Sequence, residues 1–373
     1  MKITIVGAGI LGASTAYHLA KKGYNVTIVD RDDNGQATSA AAGMICPWLS
    51  QRRNKAWYTL VKNGAAYYPQ VIAELEKDGE TNAGYKQVGA LRLHTDEKKL
   101  RETMERAKIK RQEAPEIGEL LLLSPRETKE RFPLLSNGTY SSLYAEGAAR
   151  VDGRRLRNAL LRGAERAGAM FIQGDAVLLK DGASAVGIKV NEKEIFSDTV
   201  VVTAGAWAQS LLTPFGIDVY VKEQKAQIVH LHLPHTHTET GNWPIVIPPG
   251  KQYIAPFEQG QIVAGSSQED DAGFDERVTA RPIEEILSKT LQVAPGLAEA
   301  EWTGTRVGFR PFTPNFLPVF GDTPELKGLL FANGLGATGL TMGPYLGSVL
   351  ARMAVGKPVE LDLEDYAVET GRL

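Results

Sequence analysis

A single cysteine, Cys46, stands among 373 residues. One thiol excludes an internal disulfide framework and any CxxC metal or redox pair. Neither sign of charge is in excess, because 42 Lys and Arg meet 44 Asp and Glu for a net charge of −2. That balance supplies neither the basic footprint of a nucleic-acid binder nor a patch for a membrane surface. No run of about 18 apolar residues is present, so no membrane span is expected. The first twenty residues place Lys2 ahead of an alanine-rich apolar stretch, superficially like a secretion signal. Cleavage there would destroy the strand and glycine spacing described next, so a cytoplasmic protein is expected. No repeat or low-complexity tract is evident. The length exceeds one comfortable core and predicts about two domains.

What is present begins at residue 2. An apolar β-type run, 2–6, leads into Gly7-Ala8-Gly9-Ile10-Leu11-Gly12, a helical stretch over 13–22, and a second apolar strand over 25–29 that ends on Asp30. This is one βαβ unit. Gly7 permits the tight turn, Gly9 lets the backbone approach a pyrophosphate, and Gly12 lets helix and strand pack closely. Free N–H groups and the dipole of the helix N-terminus favour phosphate, and Asp30 stands where an adenosine ribose would meet it. The spacing predicts a dinucleotide site.

Small residues follow at 37–44 (Ala-Thr-Ser-Ala-Ala-Ala-Gly-Met), suited to a backbone that must approach a flat, bulky ligand. Trp57, Leu60, Val61, Gly64, Tyr68, Ile72 and Leu75 recur at helical spacing, with Pro69 expected to kink or divide the helix. A strand over 87–94, a charged helix over 96–113 with a solvated face, and a helix start at Ser124-Pro125 come next. A helix over 154–167 precedes short strands at 170–173, 176–179 and 185–190. The continuous apolar strand 199–202, predicted to be buried on both faces, runs into Thr203-Ala204-Gly205-Ala206-Trp207. Residues 219–303 show short strands between Pro- and Gly-rich turns, the pattern of antiparallel sheet. A last apolar strand, 329–333, enters Gly334-Leu335-Gly336-Ala337-Thr338-Gly339 and a helix over 340–355.

Three nucleotide-type pieces are thus separated by two inserts. The expected fold is two-domain α/β (α+β): a discontinuous Rossmann-like domain with a parallel sheet (1–84, 148–218 and 304–373), and a mostly antiparallel substrate or cap domain (85–147 and 219–303). An HxH pair, His230 and His232, puts two rings on one strand face, with His235 and His237 following. No cysteine or nearby carboxylate completes a ligand set before Glu239, and no metal is expected.

With these motifs in place, the sequence resembles the D-amino-acid-oxidase-like family of FAD-dependent amine oxidoreductases, the group of glycine oxidase, sarcosine oxidase and D-amino-acid dehydrogenase. The resemblance spans nearly the whole chain. It rests on the first glycine turn with Asp30, on 37–44, on the Ala204-Gly205-x-Trp207 turn, on Gly308-Phe309-Arg310-Pro311-x-Thr313-Pro314 with Pro318 and Gly321, and on the turn at 334–339. It implies extended FAD. Asp30 and Arg31 would meet the adenosine end, Val177 the adenine, and Thr38, Ser39, Ala42, Gly43 and Met44 the path from pyrophosphate to flavin. The turn and helix start from Leu335 through Leu340 to Thr341 would lie at the flavin's pyrimidine edge, where reduced flavin is negative.

The resemblance further implies that Arg310 forks onto a substrate carboxylate, and that Tyr253 closes over the substrate. Arg306 is a rival carboxylate ligand. Where some glycine oxidases carry a second polar or basic residue, this chain has Ala337, so substrate choice stays open. No cysteine lies near the arginine motif, so FAD is expected to be non-covalent. The implied reaction is oxidation of a small amino acid or N-substituted amino acid to its imine, with oxygen or a quinone or carrier protein as acceptor. A non-catalytic flavin-binding subunit is the alternative from another class. An ordinary NAD-dependent dehydrogenase is disfavoured by the second and third glycine turns, and homo-oligomerisation is left open.

Overall fold

The computed structural model describes residues 1–234 and 239–372. His235 and His237 lie outside them. The opening βαβ unit seeds a six-stranded sheet in the order Val319–Asp322, Leu329–Asn333, Thr199–Val202, Lys2–Val6, Asn25–Asp30, Met170–Gln173. All neighbours are parallel except the first pair. Thr199–Val202 sits between Lys2–Val6 and Leu329–Asn333, and Val200, Val201 and Val202 are fully buried, as a run apolar on both faces requires.

The helix Ile10–Ala20 is buried along its whole length. It is surrounded because its neighbours carry glycine where they cross it. A Cβ on Gly347 of Gly339–Met353 would come 2.4 Å from Ser14 Cβ, and one on Gly163 of Gly153–Arg166 would come 2.8 Å from Tyr17 Cε2. The crossings are set by backbone proximity that any side chain would spoil.

The second sheet has eight strands, ordered Glu301–Phe312, Lys222–His232, Gln261–Gly265, Tyr253–Pro256, Ile245–Ile247, Ala90–His94, Ser141–Ala145, Leu120–Leu123. It is antiparallel apart from the parallel pair of Ile245–Ile247 with Ala90–His94. The fold is therefore mixed α/β with a parallel and an antiparallel layer. Chain exit and re-entry coincide near residues 85 and 148, because Tyr85–Gln87 and Ala149–Val151 pair beside Met44–Ile45. At the other junction, Glu301–Phe312 pairs with Lys222–His232 along its whole length, so a division at 303/304 falls inside one strand.

The structure removes one alternative and adds one strand. The helix Lys55–Lys77 runs through Pro69 without dividing. Pro69 stands on the exposed side of a helix whose other side is buried through Leu60, Val61, Gly64, Ala65, Tyr68 and Val71. A strand at Lys193–Phe196, which polar residues hide from an apolar count, completes a three-stranded antiparallel sheet with Ala176–Asp181 and Ser184–Val190. The capped start at Ser124 is present as a full capping box with Glu127. Among the described residues, no helix is long and apolar enough to cross a membrane, and no group of three or more His, Cys, Asp or Glu is placed to hold a metal.

Candidate active site

Ligands of open α/β sheets bind outside the carboxyl ends of the strands. Here a cavity of about 770 Å³ follows that edge. Its wall takes in Asp30 and Asp175 at one side of the six-stranded sheet and the turn after Asn333 at the other. From the Met170–Gln173 strand to Leu329–Asn333 is four strand spacings, roughly 19 Å at about 4.8 Å each. That suits an extended ligand better than a compact one.

Asp30, Arg31 and Val177 line one end. Asp30 Oδ2 accepts from the Ala8 N–H, and burial raises its pKa against the opposing pull of that hydrogen bond and of Arg157. Arg31 Nε donates to Asp33 at 2.9 Å, and its Nη1 to Asp175 at 3.3 Å. Gly7, Gly9, Ile10, Leu11, Thr38, Ala42, Gly43 and Met44 form the middle of the wall. Gly7 has φ +102°, and a Cβ on Gly9 would meet nothing closer than Thr38 Oγ1 at 3.5 Å, so backbone is open to a phosphate there. The N-cap of the Ile10–Ala20 helix is Gly9 and no acid stands in its first turn, which suits an anion, while Thr38 Oγ1 accepts from the Ile10 N–H at 3.0 Å. Ala204, Gly205, Trp207 and the stretch Leu335, Gly336, Ala337, Thr338, Gly339, Leu340, Thr341 line the far part.

Three expected contacts stand outside the wall. Gly12 packs inward, where a Cβ would fall 1.8 Å from Gly7 O. Ser39 turns its carbonyl to Arg154 Nε (3.1 Å) and Arg306 Nη1 (3.3 Å). Gly334, with φ +80°, packs on the Thr313 side chain.

Arg310 and Tyr253 both line the cavity, whereas Arg306 does not. Arg310 is deeply enclosed by protein and keeps its remaining surface toward the cavity. Its Nη1 donates to Gln224 Oε1 at 3.1 Å and its Nη2 to Ser266 Oγ at 2.6 Å. Both partners are neutral. Burial lowers the guanidinium pKa, with Tyr253 and Asp270 opposing. Asp270 acts by its charge and is itself held by Gln224, whose amide nitrogen donates to it. Burial also pushes the Tyr253 hydroxyl up to about 12, against the Arg310 charge and a hydrogen bond with Ser266.

Gln224 and Ser266 were not expected from the sequence. Gln224 stands opposite Arg310 only because strands 86 residues apart pair, and no local motif reports that register. Cys46 has a place that its sequence position did not indicate. Far from the arginine motif in sequence, it nevertheless lines the cavity. Burial pushes its thiol up to about 12, so it is held un-ionised.

A family model described as FAD dependent oxidoreductase (DAO) matches residues 2–353. The chain belongs to that family. It is 56% identical over 363 residues to the uncharacterized oxidoreductase YurR of Bacillus subtilis (strain 168), covering 97% of each chain. Among solved structures it resembles iminodiacetate oxidase from Chelativorans sp. BNC1, with TM-score 0.94, 42% identity and 98% of each chain covered. It also resembles glycine oxidase from Geobacillus kaustophilus, with TM-score 0.85, 26% identity, and 98% and 97% covered. The protein is thus an FAD-dependent amine or amino-acid oxidoreductase, and the open glycine backbone at an acid-free helix N-terminus fits its cofactor.

Proposed function

We propose that this enzyme oxidises a small amino acid or N-substituted amino acid to its imine, with oxygen as the acceptor. The observation that carries the reading is Arg310: a cavity-facing guanidinium whose two terminal nitrogens rest on neutral oxygens. A buried cation without a directly paired counter-charge is unfavourable, and a substrate carboxylate would supply one with two parallel hydrogen bonds. FAD, when bound, supplies the acceptor for the hydride that leaves the α-carbon. The chain's own part is orientation. Arg310 would hold the carboxylate and so fix the α-carbon, while Gln224 and Ser266 hold the guanidinium plane.

Tyr253, kept as the phenol by burial, would donate a hydrogen bond and position substrate rather than act as a base at neutral pH. The substrate's amine must therefore enter neutral. FAD is proposed to sit non-covalently along the glycine-lined wall, with Asp30 and Arg31 at its adenosine end. The eight-stranded sheet serves as the cap, and we assign Arg310 to it with the rest of its strand. The oxidase names of the relatives at 42% and 26% identity support oxygen as acceptor over a quinone or carrier.

The test is anaerobic mixing of the yellow holoprotein with glycine, sarcosine, iminodiacetate and D-alanine, beside the matching amines without carboxylates. Bleaching by amino acids and not by the amines is expected. Bleaching by none of the amino acids, or equally by the amines, overturns the reading.

A further inference from the structure

The cap face that looks into the cavity carries a second cation that the reaction described so far does not use. Tyr253 pairs with Gly265, and beyond Gly265 the chain continues extended along Lys222–His232. Ser267 N–H donates to Gln227 O at 3.1 Å, and Lys225 and Glu269 exchange backbone hydrogen bonds of 3.1 and 3.0 Å. Side chains alternate along such a segment. Glu269 lies outside the cavity wall and accepts from Gln227 Nε2 and from the Oγ of Ser267, which is itself part of the wall. Ser266 and Gln268 share the cavity face. Lys251 lies in the bend two residues before Tyr253, and Lys251, Tyr253, Ser266 and Gln268 all line the cavity with Arg310.

Ser266 Oγ accepts from Arg310, and Gln268 Oε1 accepts from Lys251 Nζ at 3.3 Å. The two cations are thus tied to residues two apart on one extended segment, roughly 7 Å along the chain. Among the described residues of the wall, the acids are Asp30, Asp33 and Asp175, and all three stand beside Arg31 at the adenosine end. At the Arg310 end the wall itself therefore carries two positive charges and no acid, Asp270 lying behind Gln224 and outside the wall. Lys251 is exposed and rests on a neutral amide, so an anion can take the place of Gln268 as its partner.

We propose that Lys251, with Gln268, forms a second anion subsite, and that the preferred substrates are secondary-amine dicarboxylates: glycines whose N-substituent itself ends in a carboxylate. This rests on the reading of Arg310 as holder of the first carboxylate. One carboxylate on Arg310 fixes the carbon to be oxidised. The other, across the nitrogen, meets Lys251.

The test compares kcat/KM for iminodiacetate, for N-propylglycine (a substituent of similar length without charge) and for N-(2-aminoethyl)glycine, in the wild-type holoenzyme, Lys251→Gln and Lys251→Glu. Lys251 is an exposed turn residue, and the bound-flavin spectrum of each variant reports that the fold is kept. The wild type should prefer iminodiacetate, and Lys251→Gln should lower the iminodiacetate to N-propylglycine ratio about five- to tenfold, as expected for a partly screened ion pair. Lys251→Glu should lower it further and shift preference toward N-(2-aminoethyl)glycine. Added salt should shrink the wild-type preference. An unchanged ratio in both variants, while amino acids still bleach the flavin, overturns this subsite and leaves the Arg310 reading standing. No bleaching by any amino acid overturns both.

Discussion

Replacing Arg310 by lysine keeps the charge and removes the fork. In the structure Nη1 reaches Gln224 Oε1 at 3.1 Å while Nη2 reaches Ser266 Oγ at 2.6 Å. That leaves the remaining N–H groups of the planar donor to address the cavity. An ammonium presents three donors around one point, so it cannot satisfy both neutral partners and still offer two parallel hydrogen bonds to a carboxylate. Losing one charge-assisted hydrogen bond is worth about 1.5–3 kcal/mol. At about 1.4 kcal/mol per tenfold, flavin reduction by amino acids should slow by roughly one to two powers of ten. Flavin should remain bound, since the glycine-lined wall is untouched.

The assay is stopped-flow bleaching under anaerobic conditions, run with an amino acid and with the matching amine that lacks a carboxylate. The wild type should prefer the amino acid, and Arg310→Ala should erase most of that preference. Gln224→Met leaves the charge but frees one N–H of the guanidinium, and should raise KM more than it lowers kcat. If Arg310→Ala keeps the full preference, another cation holds the carboxylate and the site is misassigned. Arg306 is a poor substitute, because it rests on the Ser39 carbonyl outside the cavity wall.

Asp30→Ala removes the proposed ribose acceptor and the partner of the Ala8 N–H, so FAD binding should weaken by about 1–3 kcal/mol in a titration of the apoprotein. Unaltered affinity would place Asp30 away from the cofactor. His18 is buried with its Nε2 on the Tyr67 hydroxyl at 3.0 Å, and burial, aided by Lys22 and Lys21, holds its pKa at about 3 against 6.5. The folded-state value is the depressed one. The stability it contributes is therefore complete above pH 6.5 and lost as pH falls toward 3, on the order of 3 kcal/mol by pH 4. Melting curves of His18→Gln should show a flatter acid limb than the wild type, and parallel limbs would refute the assignment. Acid precipitation should release all the yellow colour, from the wild type and Cys46→Ser alike, because the Cys46 thiol is held un-ionised. Colour retained in the wild-type pellet and lost from Cys46→Ser would show a covalent bond.

How far the sequence could be read depended on how locally each feature is determined. The first glycine turn was legible because its constraints lie within thirty residues: a φ of +102° at Gly7 and the contact between Gly12 and Gly7 O that excludes any Cβ. The strand Thr199–Val202 was legible for a similar reason, since an uninterrupted β-branched run has few places to go except a doubly covered sheet. Whether Pro69 kinks or divides its helix was left open by the sequence, and division does not occur because the helix is held by its buried face. The place of Cys46 in the cavity wall was not legible, because it follows from Met44–Ile45 pairing with Ala149–Val151 across more than a hundred residues.

The site itself divides the same way. Arg310 could be picked out by its motif, but its chemistry depends on what surrounds it, and each neighbour arrives by a pairing that no short window contains. Gln224 comes from the register of Lys222–His232 against Glu301–Phe312, and Ser266 from the end of Gln261–Gly265. Had either partner been a carboxylate, Arg310 would be half of an internal ion pair with no charge to offer a ligand. It is the neutrality of both, visible only once the sheet is assembled, that turns a motif arginine into a candidate carboxylate holder.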